Sequence, residues 1–74
     1  MRYKLYSVKD TVSGNFSDIQ IFNNDEVAKR WFFNLCAESK ISRDLQLYYL
    51  GDYDVQTAII IPSVEYIAGG ADNE

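Results

Sequence analysis

Only one stretch of this chain repeats its apolar residues at helical spacing, and that limits the fold more than any other feature. From about 25 to 39, Val27, Ala28, Trp31, Phe32 and Leu35 fall on one side when projected at about 100° per residue. Asn23 or Asn24 can cap the start, Asp25 and Glu26 meet the positive end of the dipole, and Asn23 with Glu26 has capping-box spacing. Phe33 points nearly opposite the stripe, among Glu26, Lys29, Arg30, Ala37 and Lys40. A single stripe needs a partner layer, and the flanking segments supply strands.

Tyr3 to Val8 is aromatic and β-branched, and Asp10 to Asn15 is turn chemistry. Phe16 to Phe22 then reads as a second strand, with Ile19 and Ile21 on one face and Asp18 and Gln20 on the other. After the helix, Leu45, Leu47 and Tyr49 alternate with Gln46, Tyr48 and Leu50, so both faces carry large side chains. Gly51 to Asp54 is a turn or bulge signal, and Val55 to Ile61 resumes a strand ending at Pro62. Val64, Tyr66 and Ile67 add a short edge strand or a helical turn. The expectation is an α+β domain over 1–68, a small antiparallel sheet in the order β-β-α-β-β with one packed amphipathic helix, followed by a flexible acidic tail over 69–74.

A chain of 74 residues buries only about 60% of its unfolded surface. There is no His and a single Cys, Cys36, which removes the commonest general base, disulfides and cysteine-cluster zinc sites. Asp44, Asp52 and Asp54 have no calcium-loop spacing, and Asp54 with Thr57 is better read as organising a turn through side-chain to backbone bonds, with Gly51 permitting the backbone there. The expectation is therefore no enzyme: no catalytic residue, metal, cofactor or small-molecule substrate. Neither an apolar signal segment nor a membrane-spanning run is present, so no membrane association is expected. Cys36 reads as a small packing residue at the edge of the stripe, and one unpaired cysteine fits a reducing compartment.

The net charge of −4 hides a division. Residues 1–43 hold all seven cations and five acids, a balance of +2, whereas 44–74 hold six acids and no cation. A net-acidic chain can thus carry a basic face. Cations interleaved with aromatics suit single-stranded DNA, because phosphates need positive charge and unstacked bases need flat π faces. The candidates are Arg2, Lys4 and Tyr6 on the first strand and Lys29, Arg30, Phe33 and Lys40 on the outer helix surface, with Tyr48, Tyr49 and Tyr53 as further stacking rings in the acidic half. Against this stand a solvated helix face and ordinary packing of the tyrosines. A sheet with large side chains on both faces also predicts a homodimer, with Phe33, Tyr48, Tyr49 and Leu50 as its interface.

Leu5-Tyr6-Ser7-Val8 with Asp10, then Gly14 and Phe16, then Asn24-Asp25 with Ala28, Arg30 and Phe32, lead into Asp44-Leu45, Leu47-Tyr48, Leu50-Gly51, Tyr53-Asp54 and Thr57. This pattern resembles the small nonstructural protein of gokushovirus-type microviruses, the phage fifth-open-reading-frame family. The resemblance covers roughly residues 4 to 58, and it departs at Ala58, where the family usually has glycine. It implies a phage-encoded, non-capsid protein in the cytoplasm of an infected bacterium, described in the family as nonstructural or DNA-binding. The function expected is single-stranded DNA binding without strong sequence preference during genome synthesis or packaging. The alternative is a non-enzymatic homodimeric interaction module that contacts a phage or host protein through its acidic half and binds no nucleic acid.

Overall fold

A computed structural model describes residues 2–73. Four strands, β1 (Arg2–Asp10), β2 (Gln20–Phe22), β3 (Leu45–Asp54) and β4 (Ile59–Gly69), form one antiparallel sheet in the order β2-β1-β3-β4, and a single helix, α1 (Asp25–Glu38), lies on one face. The expected α+β architecture is present. Because β2 and β3 both pair antiparallel with β1, they run parallel to each other. A parallel pair needs a crossover, and the 14-residue helix supplies it. Asn24, rather than Asn23, caps the helix: its Oδ1 accepts the Val27 N–H at 3.0 Å.

The core lies between helix and sheet. Tyr6 and Val8 of β1, Leu45 and Leu47 of β3 and Ala68 of β4 meet Ala28, Phe32 and Cys36 of α1. The buried helix row is therefore 28, 32 and 36, turned from the expected stripe. Val27 and Leu35 are 39% and 37% exposed, whereas Phe33 is half-buried against the core, its ring 5.5 Å from that of Phe32. Small Ala28 and Cys36 lie in one row with Phe32, which lets the helix approach the sheet along that line; Trp31, its ring 5.3 Å from that of Phe22 and tilted at 42°, closes one flank and Phe33 the other.

Several strand boundaries differ from expectation. Over 16–19 the second strand gives way to loop: Phe16 makes an isolated bridge to Lys9, and Ser17 Oγ accepts the Val8 N–H at 3.1 Å. A side chain that takes a ladder donor interrupts the ladder, which leaves β2 only three residues long. Gly51 is not a chain reversal but a bulge within β3. Its φ is +137°, and a Cβ there would sit 2.1 Å from the Ile61 carbonyl oxygen. The register moves from Leu5↔Gly51 to Tyr6↔Tyr49, leaving Leu50 as the extra residue. The reversal comes at 55–58 instead. Asp54 and Thr57 do organise it: Asp54 Oδ1 accepts the Gln56 N–H at 2.9 Å, Thr57 Oγ1 accepts the Ile59 N–H at 3.4 Å, and the Ala58 N–H donates to the Asp54 carbonyl. The Gln56 N–H, more than any other contact, holds the Asp54 carboxyl below its usual range.

β4 runs through Pro62 rather than stopping there, which an edge strand permits. The chain does not fray at Gly69 either. Gly69 and Gly70 are buried, and Gly70–Asn73 form a 3-10 turn against a second such turn, Ser42–Asp44. A Cβ on Gly70 would lie 1.7 Å from the Ser42 carbonyl oxygen, so only glycine allows this backbone contact. Of the expected tail, Glu74 lies outside the described residues.

Candidate nucleic-acid interface

Strand alternation puts Arg2, Lys4 and Tyr6 of β1 on the helix side, where they meet carboxylates. Arg2 is exposed, with Nη1 3.8 Å from Asp52 Oδ2, and the Lys4 Nζ sits 5.2 Å from the Tyr49 ring centroid. In the register Arg2 faces Asp54 and Lys4 faces Asp52, so this end of the sheet has little net positive charge. Tyr6 is fully buried and its hydroxyl donates to Asp25 Oδ1 at 2.5 Å. Burial first, and the Asp25 bond second, push its hydroxyl far above the usual range. Tyr6 therefore offers no ring to a base, and its assignment as a DNA contact is corrected. Tyr49 donates to Asp52, and that bond, followed by burial, pushes it up to about 12.

The helix cations do not form a stacking site. Lys29 is 3.7 Å from Glu26 Oε1, and Arg30 and Lys40 are exposed. The expected interleaving ring, Phe33, packs on Phe32 instead. The expected dimer residues are likewise divided: Phe33 and Tyr49 pack against the core, Tyr48 projects from the opposite sheet face, and Leu50 sits at the bulge. Period-two alternation makes Tyr48 and Tyr49 incompatible with a single patch.

The helix-free face carries a different constellation. Phe16, Tyr48 and Tyr66 form a row across the sheet, with Phe16 and Tyr48 centroids 5.4 Å apart at 72° and Tyr48 and Tyr66 centroids 5.8 Å apart at 80°. Phe16 is 47% and Tyr66 51% exposed, and Lys9 places its Nζ 5.7 Å from the Phe16 centroid. Local chemistry builds the row. The Asp10–Asn15 turn returns Phe16 opposite Lys9, Tyr48 pairs with Tyr66, and small Ser7 lies directly opposite Tyr48. Ser7 is itself 1% exposed, its hydroxyl donating to the Ser17 carbonyl at 2.7 Å.

Sequence reasoning missed Lys9, Phe16 and Tyr66 as site residues. The signal available was the turn between Lys9 and Phe16, since a hairpin sets its flanking residues side by side. Tyr66 had no such signal. Its placement depends on β4 continuing past Pro62.

On the helix side, a groove of about 440 Å³ opens between the β1–β2 loop and α1. Trp31, Leu35 and Leu45 line it, but so do Asp10 and Asp18, which disfavour a polyanion. Among the described residues no group of three or more Asp, Glu or Cys is placed to hold a metal ion, and no helix is long and apolar enough to cross a membrane. Cys36 is buried and its thiol is pushed up by that burial, which keeps it protonated and unreactive.

No curated protein and no solved structure matches the chain significantly. The phage ORF5 protein family matches over residues 3–73, covering the helix and all four strands except Arg2 at the start of β1. The chain belongs to the phage ORF5 protein family.

Proposed function

We propose that this phage protein is a non-enzymatic single-stranded DNA-binding protein, acting in the infected cell during genome synthesis or packaging, and that it uses the helix-free sheet face. One observation carries the reading: the partly exposed row Phe16–Tyr48–Tyr66 with Lys9 at its end. Rings of this kind stack on any base, so the binding has little sequence preference. Lys9 supplies the phosphate contact beside the first ring.

Fluorescently labelled single-stranded oligonucleotide, titrated at low salt, tests this. Phe16→Ala and Tyr66→Ala each remove about 1–3 kcal/mol of stacking, a loss of roughly 5- to 150-fold in affinity. Lys29→Ala/Arg30→Ala has little effect, since those side chains project from the helix on the other side of the sheet. No binding at low salt, or binding indifferent to the rings, overturns the proposal and leaves the protein-interaction reading.

A further inference from the structure

The two edges of the sheet are unequal. β2 presents three residues, whereas β4 presents eleven and has no strand beyond it among the described residues. Long exposed edges are normally blunted by lysine, proline, bulges or shortness. β4 has Pro62 and irregular register against β3 near Ser63–Val64 and at Ile67, but neither lysine nor shortness: Ile59, Ile60, Ile61, Val64 and Tyr66 are 41–66% exposed, and its only charged residue is Glu65. The molecule is correspondingly open, exposing 4950 Å² where surface–mass scaling gives about 4,650 Å² for 8.5 kDa.

We propose that β4 pairs antiparallel with β4 of a second copy about a twofold axis through the middle of the strand, near Val64, forming one eight-stranded sheet. A second copy is the occupant the strand itself selects. With one acid and no cation over 59–69, β4 calls for no charged partner, and its apolar residues on both faces match the same residues on an identical strand. Pairing β4 with the short β2 edge of another copy would be head-to-tail and open-ended; twofold β4–β4 pairing closes. An antiparallel seam of this symmetry keeps both helices on one side, so the two aromatic rows share the other. Since Tyr66 lies on β4, each row ends at the seam, and two short platforms become one longer surface. That last consequence rests on the DNA-binding proposal; the seam does not.

Light scattering and sedimentation, without DNA, measure the assembly from micromolar to submillimolar concentration. The full chain runs at twice 8.5 kDa. Val64→Lys sets like charges across the axis, and Ile60→Lys puts a charged head in place of an apolar seam residue; each raises the dimer dissociation constant more than about tenfold, with the circular dichroism spectrum unchanged. Val64→Cys, which meets its own copy across the axis, forms a disulfide-linked dimer under mild oxidation, whereas Asn34→Cys on the exposed helix surface does not, and buried Cys36 gives no background. A monomer at submillimolar concentration overturns the seam, as does a dimer unaffected by both lysine variants and uncrosslinked at position 64. Phe16→Ala remains dimeric, so a stable dimer that ignores DNA removes the DNA reading alone, and DNA binding by a strict monomer removes the seam alone.

Discussion

Two residues in the β3–β4 hairpin show how backbone conformation enters the stability of this chain. Ala58 has φ +61°, the left-handed region in which a Cβ is crowded, and a glycine is relieved of that strain. Ala58→Gly is expected to stabilise the protein by about 0.5–1 kcal/mol in urea denaturation. Gly51→Ala has the opposite sign and is larger. Its φ of +137° and a Cβ 2.1 Å from the Ile61 carbonyl oxygen force β3 and β4 apart, with a loss of about 3 kcal/mol or more. The tyrosine hydroxyls give a second residue-scale outcome. In the unfolded chain Tyr6 and Tyr49 ionise near 10, whereas in the folded chain Tyr49 is pushed up to about 12 and Tyr6 further. Above pH 10 the folded state therefore holds more protons than the unfolded one, and stability falls as pH rises through that window. Ultraviolet titration should show Tyr6 and Tyr49 ionising late, together with alkaline unfolding. Ionisation of both near pH 10 with the fold intact would contradict the two carboxylate contacts.

At the scale of the elements, the helix separates pattern from packing. Helical periodicity places Phe32 and Leu35 in one stripe, yet Phe32 is fully buried and Leu35 is 37% exposed. Phe32→Ala should cost about 3–5 kcal/mol, a large part of the roughly 4–11 kcal/mol that a chain of 74 residues commands. Leu35→Ala should cost about 1 kcal/mol or less. Denaturant midpoints of the two variants check the rotation of α1 directly. The strands show a related division. Aromatic and β-branched runs at Tyr3–Val8 and Leu45–Leu50 marked β1 and β3 well, because those strands are central and paired on both sides. The edges were less legible: β2 is cut short by the Ser17 hydroxyl, and β4 is extended through Pro62. Both outcomes depend on what lies beside the strand, which local composition does not encode.

For the whole molecule, the charge division between 1–43 and 44–74 does not become a basic face and an acidic face. The sheet pairs Arg2 with Asp54 and Lys4 with Asp52 across β1 and β3, mixing the two regions. The cation left beside the aromatic row is Lys9. The DNA titration should accordingly depend weakly on salt, with a double-logarithmic slope of about −0.7 to −1.4 for one or two phosphates neutralised. A slope several times steeper would instead indicate a broad basic surface. The sequence by itself determined the kinds of element, their order, the helix start and the family, because periodicity, capping and turn chemistry act over a few neighbouring residues. Only the tertiary structure decided the rotation of the helix, the bulge at Gly51, the burial of Tyr6 and Gly70, and the aromatic row. Each of these depends on which distant backbone lies alongside: a one-residue shift at Gly51 changes which side chains of β3 face the helix, and Phe16, Tyr48 and Tyr66 are neighbours only across strands.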